Sequence, residues 1–288
     1  MSEIVRPVQH ILKAEDTLEG AGVRLKRAFG NGEVPLFDPF LLLDNFASTN
    51  PREYLAGFPW HPHRGIETVT YMLEGQVEHE DSLGNKGRID GGDVQWMTSG
   101  SGILHQEMPQ RKEGMLQGFQ LWVNIPAKLK MGDPAYRGLT GGEIPRVQTD
   151  AASVKVVAGS FQNVEGPVRG LPVDPTYLDI TLVPHAAFEL PVKRGYTVFS
   201  YLVDGEARFE GRDTVVPTKR VVLLGDGDKV RLNAGRPGAR LLLVSGRPLH
   251  EPVAWYGPIV MNTQEELSVA MRELRRGDFI KAREVAEV

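Results

Sequence analysis

The chain of 288 residues is long enough for two domains of about 150 residues, each able to bury its own core. Its net charge of −4 excludes broad electrostatic binding to nucleic acid or anionic lipid, which needs a basic face. It contains no cysteine, which excludes disulfides, thiolate metal sites and a cysteine nucleophile, so any bound metal must rest on histidine and carboxylate.

Taken in chain order, Met1 to Gln9 mix polar, charged and apolar residues, and no apolar stretch of signal-peptide type follows. No apolar run reaches the roughly 18 residues that would span a bilayer. A cytoplasmic location without membrane contact is the expectation. Asp38 and Asp44 bracket an apolar run and read as turn or domain-contact residues. Runs rich in Val, Thr, Leu, Phe and Tyr then recur at Glu67–Leu73, Gly118–Asn124, Ser153–Val157, Leu178–Val183, Thr197–Val203 and Arg240–Val244. Turn pairs such as Gly84-Asn85, Asp90-Gly91 and Asp204-Gly205 separate them. Short strands between such turns predict an all-β sandwich or barrel. Asp133–Thr149, rich in Gly and Pro, reads as a linker, which divides the chain into residues 1–135 and 136–288. A helix is predicted over about 263–278. Thr263 caps it, Glu265 and Glu266 lie in its first turn, and Leu267, Met271 and Leu274 form an apolar stripe for docking onto the β-structure.

A weak internal repeat supports two copies of one β-domain. Arg64 to Gly75 aligns with Arg194 to Gly205, sharing the Arg-Gly start, the Tyr and the acidic-Gly turn. Gly92-Asp93-Val94 can be set against Gly227-Asp228-Lys229-Val230.

Two tripeptides carry the chemistry. In a strand, residues i and i+2 share a face, so His61 and His63 point together, as do His105 and Glu107. Two such strands can close around one ion, and imidazole with carboxylate suits Fe(II), Mn, Ni, Cu, Zn or Co. Either pair alone reads as ordinary hydrogen-bonded histidines; together, beside the Gly-rich turn Ser99 to Gly102, they read as a metal site. Glu67, four residues beyond His63, is a fifth candidate if the strand stays regular, although Arg64-Gly65 can rotate it away. His79, in Glu78-His79-Glu80-Asp81, reads as a solvated hairpin position. Trp96 and Trp122 fit either a pocket wall or a core, and Gln95, Gln117 and Gln120 fit either a substrate contact or a surface. No phosphate-binding loop or hydrolase elbow is present.

The segment Gly57 to Gly75 looks like a first cupin motif, and Gly92 to His105 resembles the second, with Gly100 where many cupins carry Pro. The longer stretches from His61 to Tyr71, Gly92 to Thr98, Gly102 to Met108, Asp38 to Asp44 and Gly257 to Thr263 resemble the pirin family in particular. That resemblance implies a bicupin: two β-barrel (double-stranded β-helix) domains with a C-terminal helix. It implies one divalent metal, Fe(II) by preference, on His61, His63, His105 and Glu107 in the N-terminal barrel, with Glu67 an outer or alternative ligand. Pro191, Lys193 and Thr197 stand where His61, His63 and Glu67 stand, so the second barrel has lost the site.

The resemblance further implies a dioxygenase of the quercetin 2,3-dioxygenase type. It would take a small aromatic flavonol and O2, with Glu107 or Glu67 as the general base. The competing expectation is a non-enzymatic, iron-dependent redox sensor acting through protein partners, with net negative charge favouring protein over direct nucleic acid contact. A purely structural metal is the third reading.

Overall fold

The computed structural model describes residues 3 to 281. Strands make up 54% of the structure and pair antiparallel, with one α-helix, Gln264–Arg276, and three single-turn 3-10 helices. Each predicted run is a strand, within a residue or two at most ends: Ile66–Glu74, Leu116–Asn124, Ala152–Ala158 and Thr176–Leu182. The last two runs belong to longer strands, Thr197–Phe209 and Lys229–Gly246. Among the described residues no helix is long and apolar enough to cross a membrane.

The chain forms two compact units. Against the expected limits of 1–135 and 136–288, both units are discontinuous. One comprises the chain up to Ala14, Phe37–Pro39 and Gly142–Leu249; the other comprises Glu15–Leu36, Phe40–Gly141 and the chain from His250 onward. Besides the short piece Phe37–Pro39, two longer pieces make the difference. The strand Val8–Lys13 pairs with Arg220–Leu224, and its Val8 and Ile11 pack on the core of the later unit. The C-terminal helix docks not on that unit but on the earlier one. Its Leu267 and Ala270 join Ala254, Ile259, Met261 and Phe279 in a small core. The Asp133–Thr149 segment is also not structureless: Ala135–Leu139 pairs with Val94–Thr98 in one unit, and Arg146–Gln148 pairs with Ala152–Ala158 in the other.

The helix has the ends its sequence asks for. The Thr263 hydroxyl accepts from the Glu266 N–H (3.2 Å), the Glu266 carboxylate accepts from the Thr263 N–H (3.0 Å), and Gly277 ends the last turn at φ +78°. Beside it, buried Arg64 donates to the carbonyls of Ser101 (2.7 Å) and Phe279 (2.8 Å), pairs with Glu273 (2.7 Å) and lies 4.2 Å from the Phe279 ring. This clamp ties the C-terminal segment to the strand that ends in His63.

The earlier unit holds a seven-stranded sheet and a four-stranded sheet. The four-stranded sheet runs in the order Phe58–His63, Ile103–Pro109, Gln76–Asp81, Lys86–Asp90. In the seven-stranded sheet, Ile66–Glu74, Leu116–Asn124, Phe40–Ser48 and Val23–Phe29 are successive neighbours. The later unit holds a nine-stranded sheet and a small two-stranded one, with a core that includes Leu178, Ile180, Leu202, Leu232, Leu241 and Leu243.

Strand pairing corrects one part of the repeat. Val94–Thr98 lies beside Ile66–Glu74, and its counterpart beside Thr197–Phe209 is Arg220–Leu224. Gly92-Asp93-Val94 therefore corresponds to the start of Arg220–Leu224 and not to Gly227 to Val230.

Candidate metal centre

Phe58–His63 and Ile103–Pro109 are antiparallel neighbours, with His63 opposite Ile103 and His61 opposite His105. Directly opposed residues share a face, so the three imidazoles converge. Their ring centroids are 4.3 to 4.9 Å apart. One nitrogen from each lies within 4.8 Å of the others, a spacing that one metal ion can bridge.

The hydrogen bonds select the tautomers. His61 Nδ1 lies 2.9 Å from the Pro59 carbonyl, and His63 Nδ1 lies 3.1 Å from the Pro258 carbonyl. A carbonyl only accepts, so both Nδ1 atoms carry the proton and both Nε2 lone pairs are free. His105 is fully buried, and neither of its ring nitrogens has a partner among the described residues. A buried imidazole left unpaired is costly unless a ligand completes it. Burial also pushes the His63 and His105 pKa values well below 6.5, with the neighbouring histidines adding to the effect. Both are thus neutral donors near pH 7, the form a metal requires. The donor set fits a divalent metal.

Glu107 faces the same space. The register slips between His105 and Glu107, which sets Glu107 opposite Phe58, and its Oε1 accepts from the Thr70 hydroxyl at 2.9 Å. It lies outside the three-histidine cluster.

Glu67 does not join them. Gly65 adopts φ +78°, where a Cβ would come within 2.0 Å of the Val260 carbonyl oxygen, and the strand restarts at Ile66. The i+4 relation to His63 is lost. Glu67 lies on the sheet face opposite Thr70, where its carboxylate accepts from Trp96 Nε1 (3.0 Å) and Thr98 Oγ1 (3.1 Å). Burial raises its pKa against those two donors. Trp96 is therefore a core residue, while Trp122 stands edge-on to His63 at 5.1 Å.

His79 departs from its expected solvated position. It is 2 % exposed, opposite Glu107 in the strand register, 5.4 Å from the His105 ring and stacked on Tyr136 at 5.1 Å. Its Nε2 lies 3.4 Å from Asp81. Burial opposes the Asp81 charge, but bonds from His79, Asn85 and Leu83 hold its carboxyl below the ordinary range.

A cavity of about 580 Å³ opens beside His61, His63 and Glu107. Its walls are largely apolar, with Leu42, Phe46, Phe58, Trp122 and Trp255 among them. Trp122 and Trp255 are 5.7 Å apart. One polar row crosses the cavity. Thr70, Gln120, Asp44 and Arg27 lie opposite one another on four successive strands, and all four line it. Asp44 is 5 % exposed and sits mid-strand, so it is neither a turn nor a domain-contact residue. Arg27 grips it through Nε (2.9 Å) and Nη2 (2.7 Å), and burial still pushes the Asp44 pKa up to about 6.

A family model described as "Pirin" matches residues 22–123, and one described as "Pirin C-terminal cupin domain" matches residues 177–280. A pirin-like protein of Caulobacter vibrioides is 46% identical over 277 residues, 96% of this chain and 99% of that protein. The chain belongs to the pirin family. A second relative, from Pseudomonas aeruginosa and named provisionally as a quercetin 2,3-dioxygenase, is 43% identical over 94% of this chain and 97% of its own length. The crystal structure of a quercetin 2,3-dioxygenase from Acinetobacter baumannii superposes with a TM-score of 0.89 at 31% identity, covering 96% of this chain and 99% of that one. The pirin fold is a pair of cupin barrels, and this chain is a bicupin.

In this pirin, Arg27, Trp255 and Pro258 stand at the site although their sequence context does not announce them. Trp255 and Pro258 come from a hairpin far beyond the histidines in sequence, with Pro258 195 residues past His63, and Pro258 acts through its backbone carbonyl, which no side-chain pattern encodes.

Proposed function

We propose that this pirin is a metal-dependent dioxygenase that cleaves a flat, electron-rich aromatic of the flavonol type with O2 in its N-terminal barrel. The observation that carries this reading is the trio of converging imidazoles, two of which, His61 and His63, line a largely apolar cavity, with buried His105 unpaired among the described residues. His61, His63 and His105 would hold one divalent metal per chain, with Glu107 as the carboxylate ligand. Fe(II) is the proposed ion; Zn, Mn, Ni, Cu and Co share the donor preference. When bound, the ion supplies Lewis acidity toward a substrate hydroxyl and a redox partner for O2.

The remaining work falls to the chain. Glu107 accepts the substrate hydroxyl proton as general base, and Thr70 fixes the orientation of its carboxylate. Trp122 and Trp255 give a planar ring an apolar wall and exclude water. The carbonyls of Pro59 and Pro258 keep two imidazoles aimed inward.

Oxygen uptake tests the proposal. Protein loaded anaerobically with Fe(II) is mixed with quercetin and air, with His63→Ala as control. Uptake with loss of flavonol absorbance, absent from the variant, is the expected result. No uptake despite one bound iron per chain contradicts it and redirects the search to metal-dependent protein partners.

A further inference from the structure

The polar row Thr70–Gln120–Asp44–Arg27 runs from the Glu107 carboxylate across a largely apolar cavity wall. The Thr70 hydroxyl is within 2.9 Å of Glu107 and 2.6 Å of Gln120. Arg27 is occupied at both ends, by Asp44 and by Glu19 at 2.9 Å. Asp44 is not saturated: a carboxylate offers about four acceptor sites, and Arg27 takes two.

The later barrel supplies an internal control. Thr70 corresponds to Ser200 in the repeat, and the same row there reads Ser200, Leu243, Leu178 and Val156, opposed one to the next in the same way. Those three apolar residues are fully buried core. The fold therefore does not need charge in this row. An Arg–Asp pair in a largely buried wall adds little or nothing to stability compared with apolar filling. Its placement beside the metal cluster points instead to a ligand.

The geometry points to Asp44, held by Arg27, as a specificity-determining residue that accepts a hydrogen bond from a phenolic hydroxyl at the end of the substrate remote from the metal. Gln120 reads a polar group between the two ends. The inference rests on the proposed reaction for the near end of the substrate only. Neighbouring strands are about 4.8 Å apart, so Asp44 stands roughly 10 Å along the wall from Thr70. That is about the reach from a chelating hydroxy-ketone across one further aromatic ring. The substrate class is a flat aromatic with a chelating group at one end and a free hydroxyl at the other.

The test compares quercetin with the same flavonol lacking both hydroxyls on the pendant ring. Binding to the metal-loaded protein is followed by tryptophan fluorescence, since Trp122 and Trp255 line the cavity. Turnover is measured separately. The wild type should bind the hydroxylated ligand at least about tenfold more tightly, the worth of one hydrogen bond to a charged group. The double variant Arg27→Val with Asp44→Leu, which copies the later barrel, should bind both within about twofold, and Asp44→Asn should fall between. Equal binding of the two ligands by the wild type, no binding of either, or a preference that survives in a folded double variant overturns the inference. A preference without turnover of either ligand supports the subsite and counts against the reaction.

Discussion

Where the N-terminal barrel sets His61 opposite His105, with His63 on the same face, the later barrel pairs Ala187–Pro191 with the start of Lys229–Gly246. Phe188 stands opposite Leu232 and Leu190 opposite Val230, all four in the core. The row from Thr70 to Arg27 likewise becomes Ser200, Leu243, Leu178 and Val156. One strand plan thus carries two interiors. Where donors face inward, the wall encloses a cavity; where Leu, Val and Phe face inward, the wall closes into a core. The ungapped repeat places Pro191 and Lys193 at the ligand positions, but both side chains are directed outward, and Lys193 pairs with Asp174. Among the described residues, the inward-facing positions of this strand pair carry apolar side chains, and Lys193 points away from them.

The largest effect that can break this comparison comes from exchanging the rows. Leu178→Asp places an unpaired charge in a closed core and should cost about 3–5 kcal/mol or more in denaturant unfolding. The reverse exchange, Arg27→Val with Asp44→Leu, should leave stability within about 1 kcal/mol of wild type or raise it by up to about 4 kcal/mol. If the reverse exchange destabilises as much as Leu178→Asp does, the row in the N-terminal barrel is structural.

A smaller effect sharpens the assignment of Glu67, which has Thr197 as its counterpart in the repeat. Burial raises the Glu67 pKa, so the folded chain retains a proton at a pH where the unfolded chain has lost it. Its contribution to stability is complete below about 4.5 and declines as pH rises through the raised value. Glu67→Gln should flatten that part of the stability–pH curve and leave metal binding unchanged. Loss of the metal would return Glu67 to the site.

The all-β fold, the capped helix and the convergence of the three histidines were legible because each is encoded locally: alternation, a Thr-x-x-Glu start, and i, i+2 spacing. Glu67 stayed open in the sequence because the same spacing rule holds only for an unbroken strand, and Gly65, the break the sequence offered, turns it away. His79 was misread because its neighbours Glu78 and Glu80 look solvated, while the strand register turns His79 and Asp81 inward on the alternate face. Asp44 carried a readable signal: it shares its face with Leu42 and Phe46, so one charge interrupts an apolar stripe. Its partner Arg27, on another strand, had none. The C-terminal hairpin and helix join the earlier unit through contacts almost 200 residues apart in sequence, such as the Val260 N–H to the Arg64 carbonyl at 3.0 Å. Local pattern does not report contacts of that kind.

The asymmetry of the two barrels is tested most directly by counting metal per chain after anaerobic loading with a divalent ion and removal of excess. The account predicts one ion per wild-type chain and none in His105→Ala, with the variant still folded by circular dichroism. Two ions per wild-type chain, or one retained by His105→Ala, would contradict it.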